Sequence, residues 1–292
     1  MDIDTLRHWI GRTESSEDEI TAFPVRALGA TLDLDLPPAA RGDAVRPLWH
    51  WLYFLPLAPH AGLGEDGHPK RGGFLPPIPL PRRMWAGGRF QFHQPLRVGE
   101  VVSRHSRILD VTAKTGRSGS LAFVTVEHQY ASARGLAITE QHDIVYREAA
   151  TPDAPQPAPV MAPTDEEWVR DVHADPVLLF RYSALTFNGH RIHYDPDYCR
   201  DVEHYPGLIV HGPLLATLLL DLIHRQLPMA VIRSFTFKGV RPTFAGQRFQ
   251  VCGKRDATGT QLALWIRQAD GALAMTATAE IHEDRMIWRP PC

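Results

Sequence analysis

The segment GPLLATLLLDLIHRQL, residues 212–227, is apolar on nearly every face over its first two helical turns. A helix of that kind is enclosed on most sides rather than laid on a surface. Elsewhere the period changes to two. RFQFHQPLRVGEVVSRHSRI (89–108), LAFVTVEHQY (121–130) and GLAITEQHDIVYR (135–147) alternate apolar and polar positions. So do SFTFKGVRPTFAGQRFQVCGKR (234–255), LALWIRQ (262–268) and GALAMTATAEIHE (271–283). These stretches predict strands with Pro/Gly connections. One enclosed helix followed by long antiparallel strands predicts an α+β arrangement, a sheet wrapped around the helix.

The pattern occurs twice. Phe90-x-Phe92 is followed by Pro95 and Gly99, and Phe235-x-Phe237 by Pro242 and Gly246, with Gly four residues after Pro each time. The segment 135–147 likewise parallels 271–283. Between the copies, TPDAPQPAPVMAPTDEEW (151–168) holds five prolines and little apolar periodicity, the composition of an extended linker. The expected organisation is a first domain over 1–150, a linker over 151–167 and a second domain over 168–292. In the first half VRPLWHWLYFLPL (45–57) takes the place of the enclosed helix. It is followed by GLGEDGHPKRGGFLPPIPLPRRMWAGG (62–88), irregular and long enough to suggest a functional or disordered segment.

Composition narrows the field. A net charge of −2 over 292 residues gives no basic excess for nucleic acid. The longest apolar run, PLLATLLL (213–220), stops at Asp221 and is too short to span a membrane. Cys199, Cys252 and Cys292 are widely spaced, giving neither a disulfide framework nor a zinc motif. With no signal-peptide core at the N-terminus, a reducing cytoplasm is the expected location.

Chemistry concentrates in TFNGHRIHYDP (186–196). Asn188-Gly189 signals a turn, and Asp195-Pro196 an N-cap followed by the first residue of a helix. The polar residues between them admit three readings. His190 and His193 could ligate a metal, although they lack the HExxH spacing and its Glu. They could satisfy the backbone of a turn. Or they could do acid–base work, since imidazole titrates nearest neutrality and Asn188 can hold a water without exchanging its proton. Downstream, His211-Gly212-Pro213 opens the enclosed helix. Gly212 is a plausible cap, and its N–H at the positive helix end could face a developing oxyanion.

YSALTFNGHRIHYDPDYC (182–199) with YPGLIVHGPLLATLL (205–219) resembles the signature of MaoC-like enoyl-CoA hydratases, the hydratase 2 family. The resemblance implies a double hot-dog fold, two antiparallel sheets each wrapped around a central helix. It implies His193 as the catalytic imidazole and Gly212 as the oxyanion donor. Asn188 falls where the family has its catalytic Asp, and His190 where it has an Asn. His190 and His211 are secondary candidates. LGEDGHPKRGGFLPPIPLPRRMWAGG (63–88), KTGRSG (114–119) and QHDIVYR (141–147) resemble the branch holding mesaconyl-CoA and itaconyl-CoA hydratases and type-2 3-hydroxyacyl-thioester dehydratases.

The activity so implied is reversible addition of water to an α,β-unsaturated acyl-CoA, mesaconyl-CoA or itaconyl-CoA giving citramalyl-CoA. Rivals are a dehydratase acting on 3-hydroxyacyl-ACP or -CoA, a hot-dog acyl-CoA thioesterase, and a non-catalytic acyl-binding subunit. Water, His193 and Asn188 suffice for the chemistry, so no cofactor and no metal are expected. Arg82, Arg83, Arg117, Arg191 and Arg241 are the candidates for the CoA phosphates or a substrate carboxylate. The first half, lacking the His motif, is expected to supply substrate-tunnel walls. Covering of exposed sheet edges suggests a homodimer.

Overall fold

The computed structural model describes residues 3–116, 119–149 and 158–283. Arg117, Cys292 and positions 150–157 of the Pro-rich segment lie outside the described residues. In chain order the elements are α1 (Ile3–Arg7), β1 (Thr13–Glu19), α2 (Ala22–Thr31), β2 (Arg82–Phe92), β3 (Val101–Gly116), β4 (Gly119–Ser132) and β5 (Gly135–Arg147). They continue with β6 (Trp168–His173), α3 (Pro176–Thr186), α4 (Pro196–Asp201), α5 (Gly212–Gln226), β7 (Ala230–Gly239), β8 (Arg248–Arg255), β9 (Gln261–Gln268) and β10 (Leu273–Glu283).

The expected strands all form, and they join one ten-stranded antiparallel sheet in the order β1-β3-β4-β5-β2-β7-β10-β9-β8-β6. Each half contributes five neighbouring strands. The seam between the halves is β2 against β7, where Phe90 faces Phe235 in register, both fully buried. Gly87 permits that approach: a β-carbon there would meet the Phe237 carbonyl oxygen at 2.5 Å.

Hydrogen bonds show the repeat more sharply than the residues do. The Gly99 N–H donates to the Ile20 carbonyl at 2.7 Å, and the Gly246 N–H to the Ala174 carbonyl at 2.9 Å. The Val45 N–H donates to Leu96 and the Val210 N–H to Thr243, each at 2.8 Å. Residue 45 therefore matches residue 210, and the aromatic segment of the first half stands where α5 begins in the second.

The two segments fold differently. In α5 every residue from Leu214 to Ile223 is buried, as an all-round apolar pattern requires. Its one acid, Asp221, is held by Arg170 at 2.8 Å and Arg225 at 2.7 Å, with Arg46 of the first half at 3.6 Å. In the matching first-half segment, 45–57, only Trp49–Leu52 is helical, a single 3-10 turn. Leu48 and Phe54 at its ends have left-handed φ values of 68° and 56°, which stop helical propagation. His50, Trp51 and Tyr53 instead send their polar atoms to partners across the interior: His50 and Trp51 to Glu140, Tyr53 to the Thr21 carbonyl.

Candidate active site

Three short elements place the motif. Asp175 caps α3 by accepting from the Leu178 N–H at 2.8 Å, and Phe187 ends that helix in a left-handed conformation. Asp195 caps α4 by accepting from the Tyr198 N–H at 2.9 Å, with Pro196 at its first position, as the sequence predicts. Between them lies one 3-10 turn, Arg191–His193. At α5 the cap is His211, so Gly212 is the first helical residue rather than the cap. First-turn N–H groups have no partner within their helix, so that amide is left available to a ligand.

The expected residues converge. His193, 7% exposed, donates Nδ1–H to the Ile209 carbonyl at 2.8 Å, which leaves Nε2 with a lone pair. Its ring stacks on His211 at 3.6 Å between centroids. His211 Nε2 meets the Ser183 hydroxyl at 2.8 Å. His190 stands edge-on to His193 at 5.5 Å. Asn188 Oδ1 accepts the His190 N–H at 3.0 Å, so its amide nitrogen is the group left to act as a donor.

Two residues absent from the sequence-based set join this row. His68 packs on His190 at 4.1 Å between rings, and Asp66 Oδ2 accepts from His68 Nδ1 at 3.0 Å. Atoms of Asp66, His68 and His190 lie within 4.8 Å of one another. The sequence paired His190 with His193 for a metal instead; here the Asp66 oxygen and His68 Nδ1 are bonded to each other, which suits an acid–base dyad. Their one sequence signal was Asp-Gly-His inside the long irregular connection.

Burial keeps these imidazoles neutral. It pushes His193 down to about 4 against the opposing bond to Ile209. It also pushes His190 to about 2, helped by the neighbouring His68 and His193. His211 is driven well below its usual range by burial and by its own neighbours in the row, His193 and His190.

A cavity of about 850 Å³ adjoins the row, with walls from both halves. Asn188, Gly189, Ser183, Tyr194 and Pro213 come from the second; His68, Trp51, Arg104, His128 and His142 come from the first. His190, His193 and Gly212 are not part of the lining; each is one residue from a wall position, Gly189, Tyr194 or Pro213.

The arginine candidates separate. Arg82 pairs with Glu203 at 2.7 Å, Arg191 with Asp195 at 2.8 Å and Arg241 with Asp270 at 2.7 Å, so their charges are already met. Arg83 is half-buried and close enough to His68 and His190 to oppose their protonation. The cavity wall carries a different cation, Arg104. It donates to the Phe54 carbonyl at 3.2 Å and lies over the Phe54 ring, and its buried Nε has no hydrogen-bond partner among the described residues.

A family model described as hydroxyacyl-thioester dehydratase type 2 matches residues 48–245. The chain is 48% identical to a mesaconyl-C(4)-CoA hydratase of Chloroflexus aurantiacus over 277 residues, covering 94% of this chain and 96% of that one. It is 29% identical to a mitochondrial hydroxyacyl-thioester dehydratase type 2 of Schizosaccharomyces pombe, covering 81% and 88%. Among solved structures, a MaoC-like dehydratase of Phytophthora capsici superposes with a TM-score of 0.69 at 14% identity, covering 97% of this chain and all of that one (100%). A Mycobacterium tuberculosis protein described as a double hot-dog fold superposes with a TM-score of 0.58 at 13% identity, covering 96% and 98%. At such identities these two show the fold, an α+β double hot dog.

Proposed function

The chain is a hydro-lyase of the hydroxyacyl-thioester dehydratase type 2 family, within the MaoC-like hydratases, and we propose that it adds water reversibly to an α,β-unsaturated acyl-CoA. The observation that carries this reading is the His193 bond to Ile209: it fixes one tautomer and leaves Nε2 as a neutral base, on a ring stacked against His211 at the cap of α5.

A thioester entering between Asn188 and Pro213 would place its oxygen at the available Gly212 N–H. Asn188, donating through its amide, orients the water. His193 takes a proton from that water as its oxygen attacks the β-carbon, then returns it to the α-carbon. The negative charge that develops on the thioester oxygen is met by Gly212; one such donor lowers the barrier by roughly 3 kcal/mol.

The substrate we infer is a branched dicarboxylic enoyl-CoA, mesaconyl-C(4)-CoA, giving citramalyl-CoA. The relative of that activity supports it. So does Arg104 on the cavity wall, a guanidinium with no ion pair among the described residues, placed to receive a second carboxylate. A homodimer is the proposed assembly. The test is a panel of enoyl-CoA thioesters, branched dicarboxylic ones included, followed by loss of conjugated absorbance and mass gain of one water. Release of free CoA thiol without hydration would favour a thioesterase instead.

A further inference from the structure

The connection between α2 and β2 belongs to the first half, yet it is bonded to the motif of the second. The Arg191 N–H donates to the Asp66 carbonyl at 2.9 Å, and the Arg191 guanidinium to the Glu65 carbonyl at 3.1 Å. Gly67 lies so close to Gly189 that a β-carbon on it would meet the Gly189 oxygen at 1.9 Å, and its φ is +86°. Only glycine allows that approach. The result sets His68 on the cavity wall beside Asn188 and Gly189.

Asp66 grips residue 68 twice: Oδ1 accepts the His68 backbone N–H and Oδ2 accepts Nδ1–H, both at 3.0 Å. The second bond leaves the lone pair on Nε2. Asn188 cannot replace this pair, because its oxygen is used by the His190 N–H and its nitrogen only donates. A nitrogen of His68 and a nitrogen of His190 lie within 4.8 Å of each other, close enough for one small molecule to touch both.

We propose that Asp66 and His68 form a water-binding pair of this site, with His68 a catalytic residue that grips the attacking water and Asp66 the residue that positions it. The proposal rests on the hydratase reading. The water oxygen bonds to the β-carbon, and the C=C pair shifts onto the thioester. One proton passes from the water to His193 and from there to the α-carbon. His68 Nε2 accepts a hydrogen bond from the hydrogen that the product hydroxyl keeps, so one water is consumed and no proton is left over.

The charged and titratable groups facing His68 are Asp66 from its own loop, Arg71 beyond it, Arg83 of β2, His190 across the cavity rim and His193. Burial lowers its pKa, the Asp66 bond opposes, and the two guanidiniums add to the lowering. The neutral form is the one that accepts from water.

Hydration kinetics from pH 3.5 to 9 test this with wild type, His68→Ala, His68→Gln and Asp66→Asn. His68→Ala should lose about 100-fold or more in kcat with an unchanged circular dichroism spectrum. His68→Gln should recover part of it, since its side-chain oxygen can accept the same bond. Asp66→Asn removes the charge that raises the His68 pKa, so the acid limb of kcat/KM should move to lower pH, a shift that loss of packing alone would not give. Chelators should leave the wild-type rate unchanged. Wild-type hydration with His68→Ala and Asp66→Asn equally fast and unshifted would overturn the proposal alone. So would loss on chelation with recovery on adding Zn²⁺, which would make the cluster a ligand set. A wild type that hydrates none of the thioesters overturns the hydratase reading and this proposal with it.

Discussion

Glu140 sits in β5 with no exposed surface, while Asp66 lies on a surface connection with about a quarter of its side chain exposed; each holds an imidazole that lines the same cavity. Glu140 is saturated. Its Oε2 accepts from His50 at 2.9 Å and Tyr130 at 3.0 Å, and its Oε1 from Trp51 at 2.8 Å and also from His142. Asp66 serves residue 68 alone with its side chain. Burial would raise the Glu140 carboxyl, but the imidazoles of His142 and His50 outweigh it and hold the carboxyl well below its usual range. In the second half the residue opposite Phe235 is Ala279, at the place where Glu140 lies opposite Phe90. A buried carboxylate thus stands in the first half where the second has plain apolar core. The pairing teaches that the same two groups can build or react: four donors lock Glu140 into the wall, and the single partner of Asp66 leaves His68 free to meet a ligand.

The sharpest way to break that contrast is to neutralise both acids. Glu140→Gln puts an amide NH₂ among groups that are themselves donors, and should cost about 3–5 kcal/mol in urea-unfolding stability. Asp66→Asn should cost less than about 1 kcal/mol. Equal losses would abolish the distinction. The next effect concerns the wall beside Glu140. Arg104→Met should raise KM for a dicarboxylic enoyl-CoA roughly 10- to 100-fold, because a charged hydrogen-bonded pair is lost. It should leave KM for an unbranched monocarboxylic one nearly unchanged. A uniform rise would remove Arg104 from carboxylate recognition.

The smallest effect per step is in pH. His193 is neutral when folded, with its pKa pushed down to about 4, whereas an unfolded His titrates near 6.5. Between those values the unfolded chain binds a proton that the folded chain refuses, so stability falls as pH falls. His193 alone should remove about 1.4 kcal/mol per pH unit between about 6.5 and 4. Unfolding free energy that stays flat from pH 7 to 4.5 would contradict a neutral imidazole row.

Much of this was written in local patterns. Period-two strands, the Pro-x-x-x-Gly spacing, the enclosed helix and the Asp195-Pro196 cap each depend on near neighbours, and each formed as expected. The first-half segment 45–57 did not become a helix, because its polar aromatics are drawn to Glu140, a partner the local sequence cannot name. Asp66 and His68 were hidden for the same reason: they reach the motif through contacts between segments more than 100 residues apart, Gly67 against Gly189 and Asp66 against Arg191. Arg104 left a fainter trace. It shares strand parity with Val102, Ser106 and Ile108, all buried, so a cation there had to face inward.

The most direct measurement is single-turnover hydration by wild type and His193→Ala, with mesaconyl-C(4)-CoA as substrate and folding checked by circular dichroism. The expected result is loss of conjugated absorbance and gain of one water with wild type, and a rate lower by roughly 10²–10⁴-fold in the folded variant. Near-normal hydration by His193→Ala would contradict the assignment of that imidazole as the base.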